Sequence, residues 1–160
     1  TGAVYGLTLS RDGALVVSSG SDNTLRLWDV LGGRQLKQLA STDATMYGVA
    51  VHPGASILAA AGGDRKIHLF DLLTGVLQRT LEGHTDYVHS VAFNPQGTRL
   101  LSYGYAGNLI VWNAADGTQL YSTRIGRVGN TARYASDGIR VVLACGDGLA
   151  RIITLPAQAQ

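Results

Sequence analysis

The chain reads as short apolar runs separated by turn-forming residues about every ten positions. The clearest stretch begins with Val88-His89-Ser90-Val91-Ala92-Phe93 and turns at Asn94-Pro95-Gln96-Gly97. Arg99-Leu100-Leu101-Ser102-Tyr103 follows, then a turn at Tyr105-Ala106-Gly107-Asn108. Leu109-Ile110-Val111-Trp112 is a third run, Ala115-Asp116-Gly117 a third turn, and Gln119-Leu120-Tyr121-Ser122 a fourth run. Runs this short cannot carry amphipathic helices, which need about ten residues or more. Their β-branched and aromatic content suits a pleated, half-buried surface. The pattern predicts an all-β meander with turn signals at regular spacing.

The same pattern recurs along the chain. Trp28-Asp29, Phe70-Asp71 and Trp112-Asn113 are spaced by 42 and 42, as are Gly33, Gly75 and Gly117. Asp22 and Asp64 keep that spacing, and Gly13 and Gly97 lie two periods apart. A weaker fourth copy places Asp147-Gly148 41 residues after Ala106-Gly107, with Ile153 in the place of Trp112. The expected repeats are residues 1–42, 43–84, 85–125 and 126–160. Four strands in roughly 42 residues is the arithmetic of a propeller blade. In the fourth copy strands are expected at about 131–134, 140–144 and 150–155.

Two segments carry a resemblance. Gly20-Ser21-Asp22-Asn23-Thr24-Leu25-Arg26-Leu27-Trp28-Asp29 and Gly83-His84-Thr85-Asp86-Tyr87-Val88-His89-Ser90-Val91-Ala92-Phe93 resemble the WD-repeat β-propeller family. The likeness covers the whole chain: copies one and three match well, copy two is intermediate and copy four is degenerate. It implies four blades, each a four-stranded antiparallel meander. The last blade is expected to lack its outer strand, because only Pro156-Ala157-Gln158-Ala159-Gln160 follows Leu155. In such families an outer strand from the other terminus typically closes the ring. Residues 1–160 therefore read as the final four blades of a longer propeller of seven or eight. A closed four-bladed ring and self-association of two chains into eight blades stay open as alternatives. An unpaired strand edge invites association, so the chain alone is expected to be oligomeric or aggregation-prone.

The resemblance also implies a side-chain network in each blade: a His in the inter-blade loop, a Ser or Thr on the second strand, an Asp in the next turn and the third-strand Trp. Copy one supplies Ser18, Asp22 and Trp28, and copy three supplies His84, Ser102 and Trp112 with Ala106 at the Asp place. Copy two keeps Asp64 but has Thr42, Ala60 and Phe70 at the other three places, and copy four has Leu143 and Ile153. Trp carries one N–H, and burying it unpaired costs roughly 1–3 kcal/mol. Tryptophan stands where the hydroxyl is present and is missing where it is absent.

Composition narrows the function classes. The net charge of +2, from 13 basic and 11 acidic residues, leaves no electrostatic footprint for nucleic acid or an anionic membrane. Charged residues are 15%, too few for a charge-rich tail or a coiled coil. One cysteine, Cys145, excludes an internal disulfide and a zinc cluster, and fits a reducing, cytoplasmic setting. No apolar run approaches the 18 residues of a membrane helix.

His84 and Ser102 with an Asp suggest a hydrolase triad, but the Gly-x-Ser-x-Gly elbow is missing, and the resemblance makes them structural partners of Trp112. His52, His68 and His89 lie in different copies without metal-ligand spacing. Gly62-Gly63-Asp64 lacks the Lys-Ser/Thr of a phosphate loop. The expectation is a non-catalytic scaffold, without cofactor or metal, that binds proteins or peptides. Alternatives are a propeller module of a multidomain enzyme or signalling protein, and a small-ligand site in the central channel. In this family partner contacts recur three and five residues after the His place and one before the Asp place. Those positions hold Ala3, Tyr5, Ser21, Thr45, Tyr47, Gly63, Tyr87, His89 and Tyr105. Four of the seven tyrosines fall on them and no charged residue does, which favours an uncharged or aromatic-binding peptide. The candidate face is therefore Tyr5, Tyr47, Tyr87, His89 and Tyr105.

Overall fold

The computed structural model describes residues 2–125 and 128–159, so the expected start of the fourth repeat at residue 126 lies outside the described residues. Blade one comprises β1 (Val4–Leu9), β2 (Leu15–Gly20), β3 (Thr24–Asp29) and β4 (Arg34–Ser41). Blade two comprises β5 (Met46–Val51), β6 (Ile57–Gly62), β7 (Ile67–Asp71) and β8 (Leu77–Leu81). Blade three comprises β9 (Val88–Phe93), β10 (Arg99–Gly104), β11 (Asn108–Asn113) and β12 (Gln119–Arg124). Blade four comprises β13 (Gly129–Tyr134), β14 (Arg140–Cys145) and β15 (Ala150–Thr154), followed by a short 3-10 turn over Ala157–Ala159. Each sheet is an antiparallel meander in sequence order, and the last has three strands, as expected.

The turns explain why the copies fold alike. The chain enters the left-handed region at one equivalent place in every blade: Asn23 (φ 60°), Arg65 (71°), Gly107 (83°) and Gly148 (82°). Asparagine and glycine tolerate that region, and Arg65 adopts it within the same turn. The Asp before it fixes the turn. Asp22, Asp64 and Asp147 each accept the N–H two residues on, at 3.3, 3.2 and 3.2 Å.

The core lies between sheets. Leu25, Met46 and Leu58 sit between blades one and two, Ile67, Leu100 and Ile110 between two and three, and Tyr103, Leu109 and Leu143 between three and four. A sandwiched sheet buries both faces, so Leu58-Ala59-Ala60-Ala61 is fully buried without alternation. The innermost strands β1, β5, β9 and β13 stand side by side. A Cβ on Gly6 would come within 2.9 Å of the Tyr47 carbonyl, and one on Gly48 within 2.7 Å of the His89 carbonyl. The outward sides of blades one and four stay uncovered. On those sides Leu7 is 63% and Ile152 is 69% exposed.

Candidate functional site

One end of the blades carries the inter-blade loops and the turns between second and third strands. Backbone bonds tie these two segments together in every blade. Ser21 N–H donates to the Ala3 carbonyl at 2.9 Å, Gly63 to Thr45 at 2.8 Å, Tyr105 to Tyr87 at 2.8 Å and Gly146 to Val128 at 2.8 Å. The positions expected to face a partner are thereby fixed in pairs by the scaffold.

Their side chains meet. Tyr5 lies 5.4 Å from Tyr47 between ring centroids, Tyr47 lies 4.7 Å from His89 and 6.3 Å from Tyr87, and His89 lies 5.3 Å from Tyr105. Five rings from three blades make one connected row in tilted contact, a geometry favourable to aromatic pairs. Tyr5, Tyr87 and Tyr105 are exposed, while Tyr47 and His89 are half-buried beneath them. None of the four tyrosine hydroxyls makes a hydrogen bond among the described residues. Burial holds the His89 pKa below its ordinary 6.5, against the opposing pull of Asp86, so this ring is neutral near pH 7.

At its inner end the row borders a small polar cavity of about 160 Å³ that Asn130 and Arg133 also line. The Arg133 guanidinium donates to Ser90 Oγ at 3.0 Å and to the Ala132 carbonyl at 2.8 Å. Sequence reasoning missed Arg133, although it breaks a visible pattern: Thr8, Ala50 and Ala92 hold the equivalent places.

The supporting networks are partly as expected. Trp28 Nε1–H donates to Ser18 Oγ at 2.8 Å, and Trp112 Nε1–H donates to Ser102 Oγ at 2.8 Å. His84 Nε2 meets the same Ser102 hydroxyl at 2.7 Å. The aspartates depart from expectation. Asp22 does not join the Trp28–Ser18 pair; it takes Thr24 Oγ1 at 2.7 Å and the Arg26 guanidinium at 2.8 Å. Asp64 takes His68 Nε2 at 2.9 Å, and Asp147 binds Arg151 through two bonds of 2.9 and 2.7 Å. Asp22, Asp64 and Asp147 each pair with a basic residue four positions on. The signal was legible, because copy three has Ile110 there and Ala106 in place of the acid. His52 also has a role that its turn position did not show. Its Nδ1 accepts the N–H groups of Gly54 and Ala55, so Nε2–H donates across the blade junction to the Gly97 carbonyl at 2.9 Å.

Ala106 leaves a defect. His84 Nδ1 is buried without a partner. A Cβ on Gly104 would lie 2.9 Å from that nitrogen, whereas on the equivalent Gly62 it would meet the Asp64 carboxylate. A carboxylate at position 106 would therefore stand beside Nδ1. Ala106→Asp is expected to raise unfolding free energy by about 1–2 kcal/mol by pairing that nitrogen and the turn N–H. Denaturant titration checks it, and an unchanged midpoint would count against the pairing.

Among the described residues no group of three or more His, Cys, Asp or Glu is placed to hold a metal ion. No helix of the described residues is long and apolar enough to cross a membrane.

Comparison with known proteins agrees with this architecture. The model of the WD domain, G-beta repeat, matches residues 1–29, 33–71 and 75–113. The solved structure of U3-55K superposes with a TM-score of 0.90 at 21% identity, covering 100% of this chain and 51% of that one. The crystal structure of the RRP9 WD40 repeats gives a TM-score of 0.89 at 21% identity, covering 100% and 50%. The chain thus spans about half the length of these structures, and at this identity the likeness bears on the fold alone. No curated protein matches the chain.

Proposed function

Since the chain belongs to the WD domain, G-beta repeat family, whose fold generally mediates protein interactions, we propose that it is a non-catalytic module docking protein or peptide partners on its aromatic row. The carrying observation is the unbroken contact of Tyr5, Tyr47, Tyr87, His89 and Tyr105 across three blades. Tyrosine offers large area at low ordering cost together with a polar tip, and interfaces concentrate it for that reason. Four free hydroxyls can bond a partner backbone without first breaking an internal bond. The rings are uncharged, which suits a peptide with apolar, aromatic or amide groups.

Replacing Tyr5, Tyr47, Tyr87 and Tyr105 together with serine tests the reading. Partners captured by the wild-type protein should bind the variant at least about tenfold more weakly, since several truncated contacts of 1 kcal/mol or more reach that factor. The unfolding midpoint should move little, because the three outer rings are already exposed. A folded variant that retains its partners at wild-type strength would place the contact face elsewhere.

A further inference from the structure

A second site lies away from the aromatic row, at the junction of blades one and two. A cavity of about 400 Å³ opens there between the end of β4, the connecting loop and strands β7 and β8. Its origin is visible by comparing blades. In blade three the equivalent space is filled by His84 and Trp112, and Trp112 Cη2 would lie only 3.0 Å from a Cβ on Gly83. In blade two the smaller Thr42 and Phe70 stand at those places. Two large side chains are replaced by smaller ones, and the volume is left open.

The lining is amphipathic. Met46, Phe70 and Leu77 make an apolar floor, and Asp43 and Asp64 supply carboxylates. Neither Lys nor Arg lines it. Asp43 is exposed and makes no ion pair or hydrogen bond among the described residues. Asp64 uses Oδ2 on His68 and Oδ1 on the Lys66 N–H.

The molecule itself shows what this carboxylate position binds. In blade one it holds the guanidinium of Arg26 at 2.8 Å, and in blade four that of Arg151 through two bonds of 2.9 and 2.7 Å. In blade two the residue four positions on is the shorter His68, and the open volume lies next to it. We propose that this cavity receives an arginine side chain from a partner polypeptide. Its aliphatic stem lies along Leu77, and its guanidinium fork bonds Asp43 and Asp64. Lysine is a poorer occupant, because its ammonium cannot make the planar two-pronged bond. The site shares no residue with the aromatic row, and its test is independent of that reading.

The chain has one methionine, and it lines the cavity, so its methyl resonance reports occupancy without assignment of the rest. Adding N-acetyl-arginine amide should move the Met46 methyl and His68 ring signals along a saturable curve in the millimolar range, as suits a single side chain. N-acetyl-citrulline amide, the neutral isostere, should bind at least tenfold more weakly, and N-acetyl-lysine amide severalfold more weakly. Asp43→Asn, at an exposed loop position without internal partners, should weaken the arginine probe at least threefold. Absence of a saturable shift, citrulline or lysine binding as well as arginine, or an Asp43→Asn variant indistinguishable from wild type would each overturn the proposal.

Discussion

Replacing Ser102 with alanine is expected to lower the unfolding free energy by about 2–4 kcal/mol, while Ser18→Ala lowers it by about 1 kcal/mol. The two serines occupy the same place in copies three and one, and each accepts the indole N–H of its blade at 2.8 Å. They differ in how much depends on them. Ser102 is fully buried and bonds both Trp112 Nε1 and His84 Nε2, and these rings are 2% and 9% exposed. Removing one hydroxyl strands two buried polar groups, each worth roughly 1–3 kcal/mol when left unpaired. Trp28 is only half-buried, so water can replace Ser18. Ala60→Ser in blade two should give no gain, because Phe70 has no donor and Ala60 is fully buried. Chemical denaturation of the three variants decides it. Equal losses at Ser18 and Ser102 would sink the hydrogen-bond account.

Much of the fold was legible because glycine and aspartate recur at the turns. A left-handed residue at 23, 65, 107 and 148 forces the same reversal in each copy, and the apolar runs between have no other length to adopt. The tryptophan pairs were legible because a buried N–H demands an acceptor, and Ser18 and Ser102 lie on the paired strand two residues from the position opposite each tryptophan. What was not legible depends on packing across blades. The aromatic row was visible as a list of positions, but ring contact from Tyr5 to Tyr105 depends on how closely the inner strands approach, which Gly6 and Gly48 permit. The cavity beside Phe70 was hidden for a similar reason: a smaller side chain in one copy reads as a conservative change until its neighbours are seen not to close over it.

Lowering the pH from 7 to about 4.5 should cost the wild-type protein about 2–3 kcal/mol more than it costs a His84→Gln variant. Burial pushes the His84 pKa from its ordinary 6.5 down to about 4, because the imidazolium would lose its hydration without a nearby carboxylate to replace it. Ala106 is the reason no carboxylate is there. Between pH 6.5 and about 4 the unfolded chain binds a proton at this ring and the folded chain does not, so acidification favours unfolding across that window. The contribution is complete above pH 6.5 and is lost on the way down to 4. Carboxylate titration does not mimic it: Asp22, Asp71 and Asp137 are held below their usual range by turn hydrogen bonds and matter only at lower pH. His89 shifts in the same direction, but it is present in both proteins and cancels in the difference. Glutamine retains an N–H for Ser102 and does not titrate, so it isolates the proton. The Ala106→Asp variant supplies the converse, since a carboxylate beside Nδ1 favours the imidazolium and should flatten the acid loss. Parallel stability curves for wild type and His84→Gln between pH 7 and 4.5 would show that His84 is protonated alike in both states, and the buried, unpaired ring would then need another explanation.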